Sequence, residues 1–251
     1  MFTLLLEITF TEVANIVLVM VLLFIGYLYL ETFWSYKINK PFLWEKARKE
    51  KRLSKELLKT ERLYRDKVRF YNLWFQVEQL KKNKIPGAFA ELGVHHGKTA
   101  KAIHLMDEQR TFYLFDTFEG FDQKDLDQES QNDERFSTKM FADTNIEKVK
   151  KYINGNNNCV YKPGFFPDTA KGLENETFAM VHIDADLYAP TIDALQFFYP
   201  RLSSGGVIII HDYNHNWDGI PKAIDEFMPT IAESLIELPD WQGSGMIVKN
   251  C

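Results

Sequence analysis

Apolar and polar positions follow three different patterns along the chain, and the first is a long apolar run near its beginning. Residues 13–30 contain Asn15 as their one clearly polar side chain. A helix of that length spans about 27 Å, close to the roughly 30 Å hydrocarbon core of a bilayer. The run therefore predicts a transmembrane helix. A buried core helix and a signal peptide are the alternatives.

Basic residues follow the apolar run, beginning at Lys37, and none precedes it. A secretory signal peptide carries positive charge before its apolar segment, so this order favours an anchor. The excess of Lys and Arg after the run predicts that the N-terminus lies outside and the rest of the chain in the cytoplasm. We therefore expect a single-pass membrane protein with its anchor in residues 1–36 and the remaining chain in the cytoplasm.

The second pattern is a helical stripe between residues 42 and 82, where apolar side chains recur at spacings of three, four or seven. The first half of the stripe is dense in Lys and Arg, and the second half is aromatic. This predicts one long basic helix, within a linker over residues 37–85 whose aromatic half packs on the domain that follows. The basic half either is a solvated face or lies on anionic lipid headgroups.

The third pattern, over residues 86–251, alternates short apolar runs with helical stretches. Strands that alternate with helices predict an α/β domain with a Rossmann-like, doubly wound and mostly parallel sheet. In such a sheet, ligands bind beyond the carboxyl ends of the strands. The residues expected at these strand ends are Glu91, Asp116, Pro163-Gly164, Asp184, Asp186, His211 and Asp212.

Composition narrows the classes of function. The net charge of −5 argues against a general nucleic-acid-binding protein. The two cysteines, Cys159 and Cys251, are too few for a disulfide framework or a zinc cluster and fit a reducing compartment. A chain of 251 residues is long enough for one α/β domain and an appendage.

A glycine-rich turn after the first predicted strand of the α/β domain is close to a phosphate-binding loop but does not match it. The stretch 91–99 ends in Gly-Lys-Thr, yet Gly93 and Gly97 are separated by three residues rather than the four that a P-loop requires. The Gly-x-Gly-x-x-Gly of dinucleotide enzymes is also absent. A metal-dependent nucleotide hydrolase therefore stays a minor hypothesis. His95 and His96 of this turn either face a bound substrate or form a solvated pair of side chains.

The same turn suits a nucleoside that has no pyrophosphate. Asp116 lies 25 residues after Glu91, where an acid that binds ribose is expected. Glycines permit close approach of the backbone to a ligand. S-adenosylmethionine fits this pattern, because it carries an ammonium and a sulfonium and no phosphate.

Five segments, in order, resemble those of the macrocin O-methyltransferases. They are ELGVHHGKTAKAI, YLFDTFEGF, PGFFPDT, the long block VHIDADLYAPTIDALQFFYPRLSSGGVIIIHDY, and AIDEF. The resemblance covers about residues 86–227. It implies a class I, S-adenosylmethionine-dependent and divalent-metal-dependent methyltransferase that methylates hydroxyls, typically on sugars of natural products.

The resemblance also implies roles for individual residues. It implies that Asp186 is the general base, and that Asp184 and Asp212 hold a metal ion, Mg²⁺ or Mn²⁺, beside the reacting hydroxyl. Asp184 thereby belongs to both the catalytic and the metal-binding set. The residues that it implies for cofactor binding are Glu91, Gly93, Gly97, Asp116, Thr117, Phe118, Gly164, Phe165 and Asp168.

One position departs from the family pattern. The family usually has Asp-Asp-Tyr where this chain has His211-Asp212-Tyr213. If His211 is a metal ligand, its neutral nitrogen shifts the preference from Mg²⁺ towards Mn²⁺, Fe²⁺ or Zn²⁺. Alternatively His211 points away from the ion, or it serves as an additional base. We expect His211 close to the ion.

The leading hypothesis is a membrane-anchored, divalent-metal-dependent O-methyltransferase. Its expected acceptor is a hydroxylated small molecule or a lipid-linked sugar, since the anchor keeps the domain near the membrane. The alternative is a catalytically inactive, methyltransferase-like protein that is tethered to the membrane as a scaffold. Both the enzyme and the scaffold hypotheses are compatible with a homo-oligomer.

Overall fold

A computed structural model describes residues 9–129, 136–215 and 218–250, without the side chains of residues 32–39. The chain divides into two compact units, Met1–Arg52 and Leu53–Cys251. The first unit contains α1 (Phe10–Asn39) and α2 (Phe42–Lys49). The second contains two further helices and the α/β domain.

Helix α1 begins at a capping box and continues through the apolar run. Glu12 N donates to Thr9 Oγ1, and Thr9 N donates to Glu12 Oε2, which satisfies two free backbone amides of the first turn. The stretch Phe10–Glu31 has the length and composition needed to cross a membrane, and its apolar window is not buried in the described chain. A signal sequence meets the same criterion of length and composition.

The single long helix predicted between residues 42 and 82 is corrected by the structure, which has α2, α3 (Lys55–Leu63) and α4 (Lys67–Lys82) there. Ser54 begins α3 by accepting a hydrogen bond from Leu57 N, and Asp66 begins α4 by accepting one from Arg69 N. Ser and Asp are favoured at these positions because they satisfy amides that have no partner within the helix. The apolar spacing continues across both breaks, and it therefore did not reveal them.

Helices α3 and α4 belong to the same compact unit as the sheet. Both contact α5 (Lys98–Met106), and α4 also contacts the sheet. The aromatic half of the stripe supplies buried side chains to this packing, among them Phe70 and Trp74. Helix α4 thereby lies against the face of the sheet that carries part of the candidate site.

Seven strands of the described chain form one sheet in the order β3-β2-β1-β4-β5-β7-β6. Both antiparallel pairings involve β7, and the other four pairings are parallel, so the expected mostly parallel, Rossmann-like sheet is confirmed. The strands are β1 (Ala88–Leu92), β2 (Phe112–Asp116), β3 (Cys159–Pro163), β4 (Phe178–Ile183), β5 (Leu202–Ile210), β6 (Ile236–Leu238) and β7 (Ser244–Val248). The other helices are α6 (Gln123–Leu126), α7 (Ile146–Ile153), α8 (Tyr188–Phe198) and α9 (Gly219–Phe227).

Strand β4 is buried throughout and directs alternate side chains to the two faces of the sheet. Val181 and Ile183 belong to the core in which α8 and α9 pack. His182, between them, points to the other face, where α4 lies. In the sheet register, Glu91 of β1 is paired with His182, and Ile183 is paired with Ile210 of β5. The residues that follow β4 and β5 therefore begin side by side.

Candidate active site

A cavity of ≈ 280 Å³ lies beyond the carboxyl ends of the parallel strands. This is where a doubly wound sheet binds its ligands, because the chain leaves β1 and β4 towards opposite faces of the sheet. The structure places nine of the predicted site residues in the cavity wall. They are Gly93, Asp116, Thr117, Gly164, Phe165, Asp184, Asp186, His211 and Asp212.

Gly93 lets the turn after β1 pass directly against the end of β4. Its φ is +86°, and a Cβ at this position would collide with the carbonyl oxygen of Asp184. Any other residue would push the two strand ends apart, and with them the wall of the cavity. The glycine is required by the close backbone approach rather than by a phosphate.

Asp116, at the end of β2, is held by two backbone amides. His95 N donates to Asp116 Oδ2 at 2.7 Å, and Phe118 N donates to Asp116 Oδ1 at 2.6 Å. These bonds orient the carboxylate while each oxygen keeps a further lone pair for a ligand hydroxyl. The arrangement suits recognition of a ribose, as the sequence pattern predicts.

Four predicted cofactor residues lie outside the described cavity wall. Gly97 begins α5 with a φ of +75°, and a Cβ there would lie 2.8 Å from Ile153 of α7. Phe118 is buried, and the exposed Asp168 pairs with Lys171 at 2.8 Å. The fourth is Glu91, whose buried side chain contacts His182 and does not line the cavity.

Glu91 and His182 form a buried chain with an arginine of α4. Arg69 Nη2 lies 3.0 Å from His182 Nε2, and His182 Nδ1 lies 3.1 Å from Glu91 Oε1. Because a guanidinium can only donate, Nε2 is the acceptor and the proton of a neutral His182 is on Nδ1, directed to Glu91. Burial and the charge of Arg69 hold the pKa of His182 well below its usual range. Burial and the charge of Asp184 raise the pKa of Glu91 well above its ordinary value.

Asp184, His211 and Asp212 meet at the ends of β4 and β5. His211 Nδ1 lies 3.0 Å from Asp184 Oδ1 and 3.1 Å from Asp212 Oδ2. One ligand atom from each residue lies within 4.8 Å of the others. In the described chain, both ring nitrogens of His211 and Asp212 Oδ1 are buried without an aligned hydrogen bond. Buried polar atoms are normally satisfied, so an imidazole and a carboxylate oxygen in this state, beside the carboxylate of Asp184, fit a divalent cation.

Arg69 belongs to the site but has no motif that would identify it in the sequence. Its Nη2 donates to Asp184 Oδ2 at 2.6 Å, across 115 positions of the chain. The backbone amide of Arg69 donates to Asp66, the N-cap of α4. Arg69 therefore lies in the first turn of this helix, and it lines the cavity. A single Arg within an aromatic helical stripe carries no local signal. Only the packing of α4 against the sheet reveals it.

The charges of this cluster control one another. Burial acts to raise the pKa of Asp184, but the positive charges of His211 and Arg69 outweigh it and hold that pKa well below its usual range. Burial acts against a charged His211, yet Asp184 and Asp212 raise its pKa to about 10. Burial and the charges of Asp184 and Asp212 raise the pKa of Asp186 well above its usual range. The cluster thus pairs the ionised Asp184 with two cations and keeps one additional carboxyl, that of Asp186, which binds a proton readily.

Asp186 and Asp212 have a backbone conformation that is uncommon for residues with a side chain. Their φ values are +61° and +59°. Aspartate adopts the left-handed region more readily than most residues, but the conformation still costs free energy, and such residues concentrate at functional sites. Both strand ends therefore make a sharp turn that directs a carboxylate into the cavity.

Comparison with known proteins identifies similar chains. The family model described as macrocin O-methyltransferase (TylF) matches residues 47–245. The 8-demethyl-8-(2,3-dimethoxy-alpha-L-rhamnosyl)-tetracenomycin-C 4'-O-methyltransferase of Streptomyces olivaceus is 31% identical over 159 residues, which are 58% of this chain and 60% of that protein. The mycinamicin III 3''-O-methyltransferase of Micromonospora griseorubida is 31% identical over 161 residues, 58% of this chain and 62% of that protein. The match thus spans about three fifths of the length of these relatives.

Solved structures show the same fold. The O-methyltransferase NovP superimposes with a TM-score of 0.63 at 25% identity, over 73% of this chain and 80% of that one. The calicheamicin methyltransferase CalS11 superimposes with a TM-score of 0.55 at 20% identity, over 87% of this chain and 90% of that one. The second likeness concerns the fold alone.

Proposed function

This chain belongs to the macrocin O-methyltransferase family, and from that membership we propose that it moves a methyl group from S-adenosylmethionine to a hydroxyl of a sugar or glycoconjugate. The observation that carries the proposal is the family match over residues 47–245, which includes the whole acid cluster at the ends of β4 and β5. One relative is named as a 4'-O-methyltransferase of a rhamnosyl-tetracenomycin, and another as a 3''-O-methyltransferase of mycinamicin III.

The cofactor end of the cavity has groups that suit an adenosyl moiety. Asp116 offers oriented carboxylate oxygens to the ribose hydroxyls. Gly164 and Phe165 lie in the wall beside it, and an aromatic ring stacks favourably on a base. Gly93 lets the backbone approach the ligand without a side chain in between. The carboxylate of Asp116, the ring of Phe165 and the side-chain-free Gly93 therefore support S-adenosylmethionine as the ligand of this cavity.

The acceptor end has the residues for a divalent ion. Asp184, His211 and Asp212 would hold Mg²⁺ or Mn²⁺. Binding would release the proton that the two carboxylates favour on His211, and the resulting neutral imidazole nitrogen favours Mn²⁺ over Mg²⁺. When bound, such an ion orients the acceptor oxygen and lowers the pKa of its hydroxyl. Arg69 holds Asp184 through Oδ2 and leaves Oδ1 on the side of His211. The guanidinium thereby orients one predicted ligand.

Asp186 is the residue placed to take the proton of the acceptor. Its carboxylate lies in the cavity wall beside Asp184 and Asp212, and the backbone turn directs it inwards. In this role the Asp186 carboxylate would accept the proton of the acceptor hydroxyl. S-adenosylmethionine would supply the methyl group, with release of S-adenosylhomocysteine as its carbon–sulfur bond breaks. Aromatic side chains of Phe121, Phe141 and Phe165 line the remaining wall and limit the access of water.

Membrane anchoring is part of the proposal. The apolar stretch Phe10–Glu31, followed by basic residues, supports a single span with the catalytic domain in the cytoplasm. The acceptor would then be a sugar close to the membrane, such as a lipid-linked saccharide. Extraction of membranes with alkaline carbonate tests the span: an anchored chain stays in the pellet, and release into the supernatant contradicts the anchor.

The first experiment is calorimetric titration of the full chain, in detergent micelles, with S-adenosylmethionine, S-adenosylhomocysteine and ATP, with and without Mn²⁺. Binding of both adenosyl compounds and no binding of ATP supports the proposal. Binding of ATP alone would contradict it and favour the nucleotide hydrolase. Transfer of labelled methyl groups to a panel of glycosides then separates an active enzyme from an inactive scaffold.

A further inference from the structure

We propose that His95, His96 and Asp143 form a second cation site, which binds a late first-row transition ion such as Zn²⁺ on the wall of the cavity. The site is separate from the acid cluster at the ends of β4 and β5. It uses neither the predicted base nor the predicted metal ligands, so it stands whether or not the chain transfers methyl groups.

The two imidazole rings already contact the same carboxylate. His95 Nε2 lies 2.8 Å from Asp143 Oδ1, and His96 Nε2 lies 3.2 Å from Asp143 Oδ2. The two imidazole rings lie over each other with centroids 3.8 Å apart. One ligand atom from each residue lies within 4.8 Å of the others. Both histidines therefore present the same nitrogen to the same carboxylate, and an ion between them needs little rearrangement.

The donor set selects the class of ion. Two imidazole nitrogens and one carboxylate oxygen suit Zn²⁺ and its late transition-metal neighbours, whereas Mg²⁺ prefers oxygen ligands. The three side chains are 33%, 38% and 70% exposed, in the order His95, His96 and Asp143. An ion can therefore enter directly from solvent, and water can complete its coordination.

The site joins two separate segments of the cavity wall. His95 and His96 follow β1, whereas Asp143 belongs to residues 136–145, which precede α7. Phe141 of that segment lines the cavity and packs against the His95 ring at 5.0 Å. Thr144 Oγ1 also donates to the carbonyl oxygen of His95. A bound ion would fix the Phe141 segment to the turn after β1.

The same turn carries the amide that orients Asp116. Because an ion on the His95 ring restrains the turn, it also restrains the group predicted to bind the ribose. The expected consequence is slower opening of the 136–145 segment. Zn²⁺ would thereby strengthen the enclosure of the cavity without touching the reacting atoms.

The test is calorimetric titration of Zn²⁺ into the metal-free full chain in detergent micelles. We expect two binding events in the unmodified protein. His96→Gln and Asp143→Asn should each weaken the same binding event by ~10-fold or more, since a ligand of the proposed site is lost. Asp212→Asn should weaken Zn²⁺ binding at the acid cluster and leave binding at the His95, His96 and Asp143 site in place. Glu147→Gln, which removes an exposed acid of α7 paired with Lys150, should leave both unchanged.

Hydrogen exchange of the amides at 141–144 provides the second measurement. Zn²⁺ should slow their exchange in the unmodified protein and in Asp212→Asn, but not in His96→Gln, and Mg²⁺ should have no such effect. The proposal is overturned if Zn²⁺ affinity is the same in His96→Gln, Asp143→Asn and the unmodified chain. It is also overturned if all Zn²⁺ binding disappears with Asp212→Asn. Circular dichroism of each variant confirms that the fold is retained.

Discussion

At the scale of single residues, Arg69 balances the negative charge of the site. Its guanidinium contacts Asp184 on one side and His182 on the other. His182 is fully buried and has no solvent to replace the contact, and the side chain of Asp184 is only 22% exposed. A guanidinium also stays charged at every accessible pH, unlike the neighbouring His211. Arg69 therefore gives the cluster a permanent positive charge.

Replacing Arg69 tests this role. Arg69→Ala should lower the free energy of unfolding by about 1–3 kcal/mol, because it leaves polar groups of Asp184 and His182 without their partner. Arg69→Lys should recover part of the loss through its charge. The measurement is urea denaturation of the full chain in micelles. Arg62→Ala, at an exposed position of α3, is the matched control, and an equal loss in both variants would contradict the role.

Asp186→Asn tests the predicted base. An amide keeps the size of the side chain but cannot take a proton at neutral pH. We expect kcat to fall roughly 10²–10⁴-fold with any acceptor found in the glycoside panel. The affinity for S-adenosylhomocysteine, measured by calorimetry, should not change. Asp225→Asn, on the exposed face of α9, should keep full turnover. Full turnover in Asp186→Asn would exclude this residue as the base.

Asp125 of α6 makes stability depend on pH. Burial and the charges of Asp122, Asp193 and Glu129 raise the pKa of Asp125 to about 7 from its ordinary value of 3.8. Because the folded state holds the proton more tightly than the unfolded chain, the resulting stabilisation is full below pH 3.8 and is lost as the pH rises through about 7.

Asp125→Asn should remove this dependence. We expect the difference in Tm between the variant and the unmodified chain to grow in favour of the variant from pH 4 to pH 8. Thermal unfolding followed by circular dichroism measures it. Asp127→Asn, at an exposed position just after α6, should show no such trend. A constant difference for Asp125→Asn over this range would contradict the raised pKa.

At the scale of elements, one side chain connects the beginning of α4 to a distant loop. Asp66 accepts from Arg69 N through Oδ1 at 3.0 Å, and from Trp241 N through Oδ2 at 2.9 Å. The first bond begins the helix, and the second joins it to the loop between β6 and β7. The direction in which Arg69 enters the cavity therefore depends on a cap that lies outside the cavity.

Asp66→Ala should lower the free energy of unfolding by about 1–2 kcal/mol, the usual loss for a helix N-cap. It should also weaken Mn²⁺ binding, since Arg69 then orients Asp184 less well. Asp66→Asn keeps an acceptor for the helix and should retain most of the stability. Chemical denaturation and Mn²⁺ calorimetry measure the two effects. Unchanged Mn²⁺ affinity in Asp66→Ala would show that the cap does not act on the site.

At the scale of the whole molecule, the chain consists of two compact units with different surfaces. The first unit carries the exposed apolar helix α1, and the second carries the sheet and all of the cavity. The family match begins at residue 47 and so leaves α1 outside it. The catalytic geometry and the proposed membrane contact therefore reside in different parts of the chain.

Removal of residues 1–39 tests this separation. The shortened chain should leave the membrane fraction and remain in the supernatant without detergent, because it lacks the exposed apolar stretch. Its affinity for S-adenosylhomocysteine should equal that of the full chain in micelles. Ultracentrifugation and calorimetry give the two results. Loss of cofactor binding would show that the second unit depends on α1.

Much of the fold was predictable because its signals are local. The alternation of strands and helices over residues 86–251 was predicted from short apolar runs, and β4 and β5 each contain such a run. The break between α3 and α4 was missed because a short capped turn keeps the apolar residues in nearly the same phase. Periodicity identifies a buried face, but it does not show where hydrogen bonding along the helix stops.

The sequence by itself determined the order of strands and helices, the family, and the placement of acids at the ends of β2, β4 and β5. These follow from short-range patterns and from motif order. Only the tertiary structure decided that Glu91 lies beneath the cavity, that Arg69 pairs with Asp184 across 115 positions, and that Asp143 meets His95 and His96. Such contacts depend on how distant elements pack, and side-chain spacing along the chain carries no information about that packing.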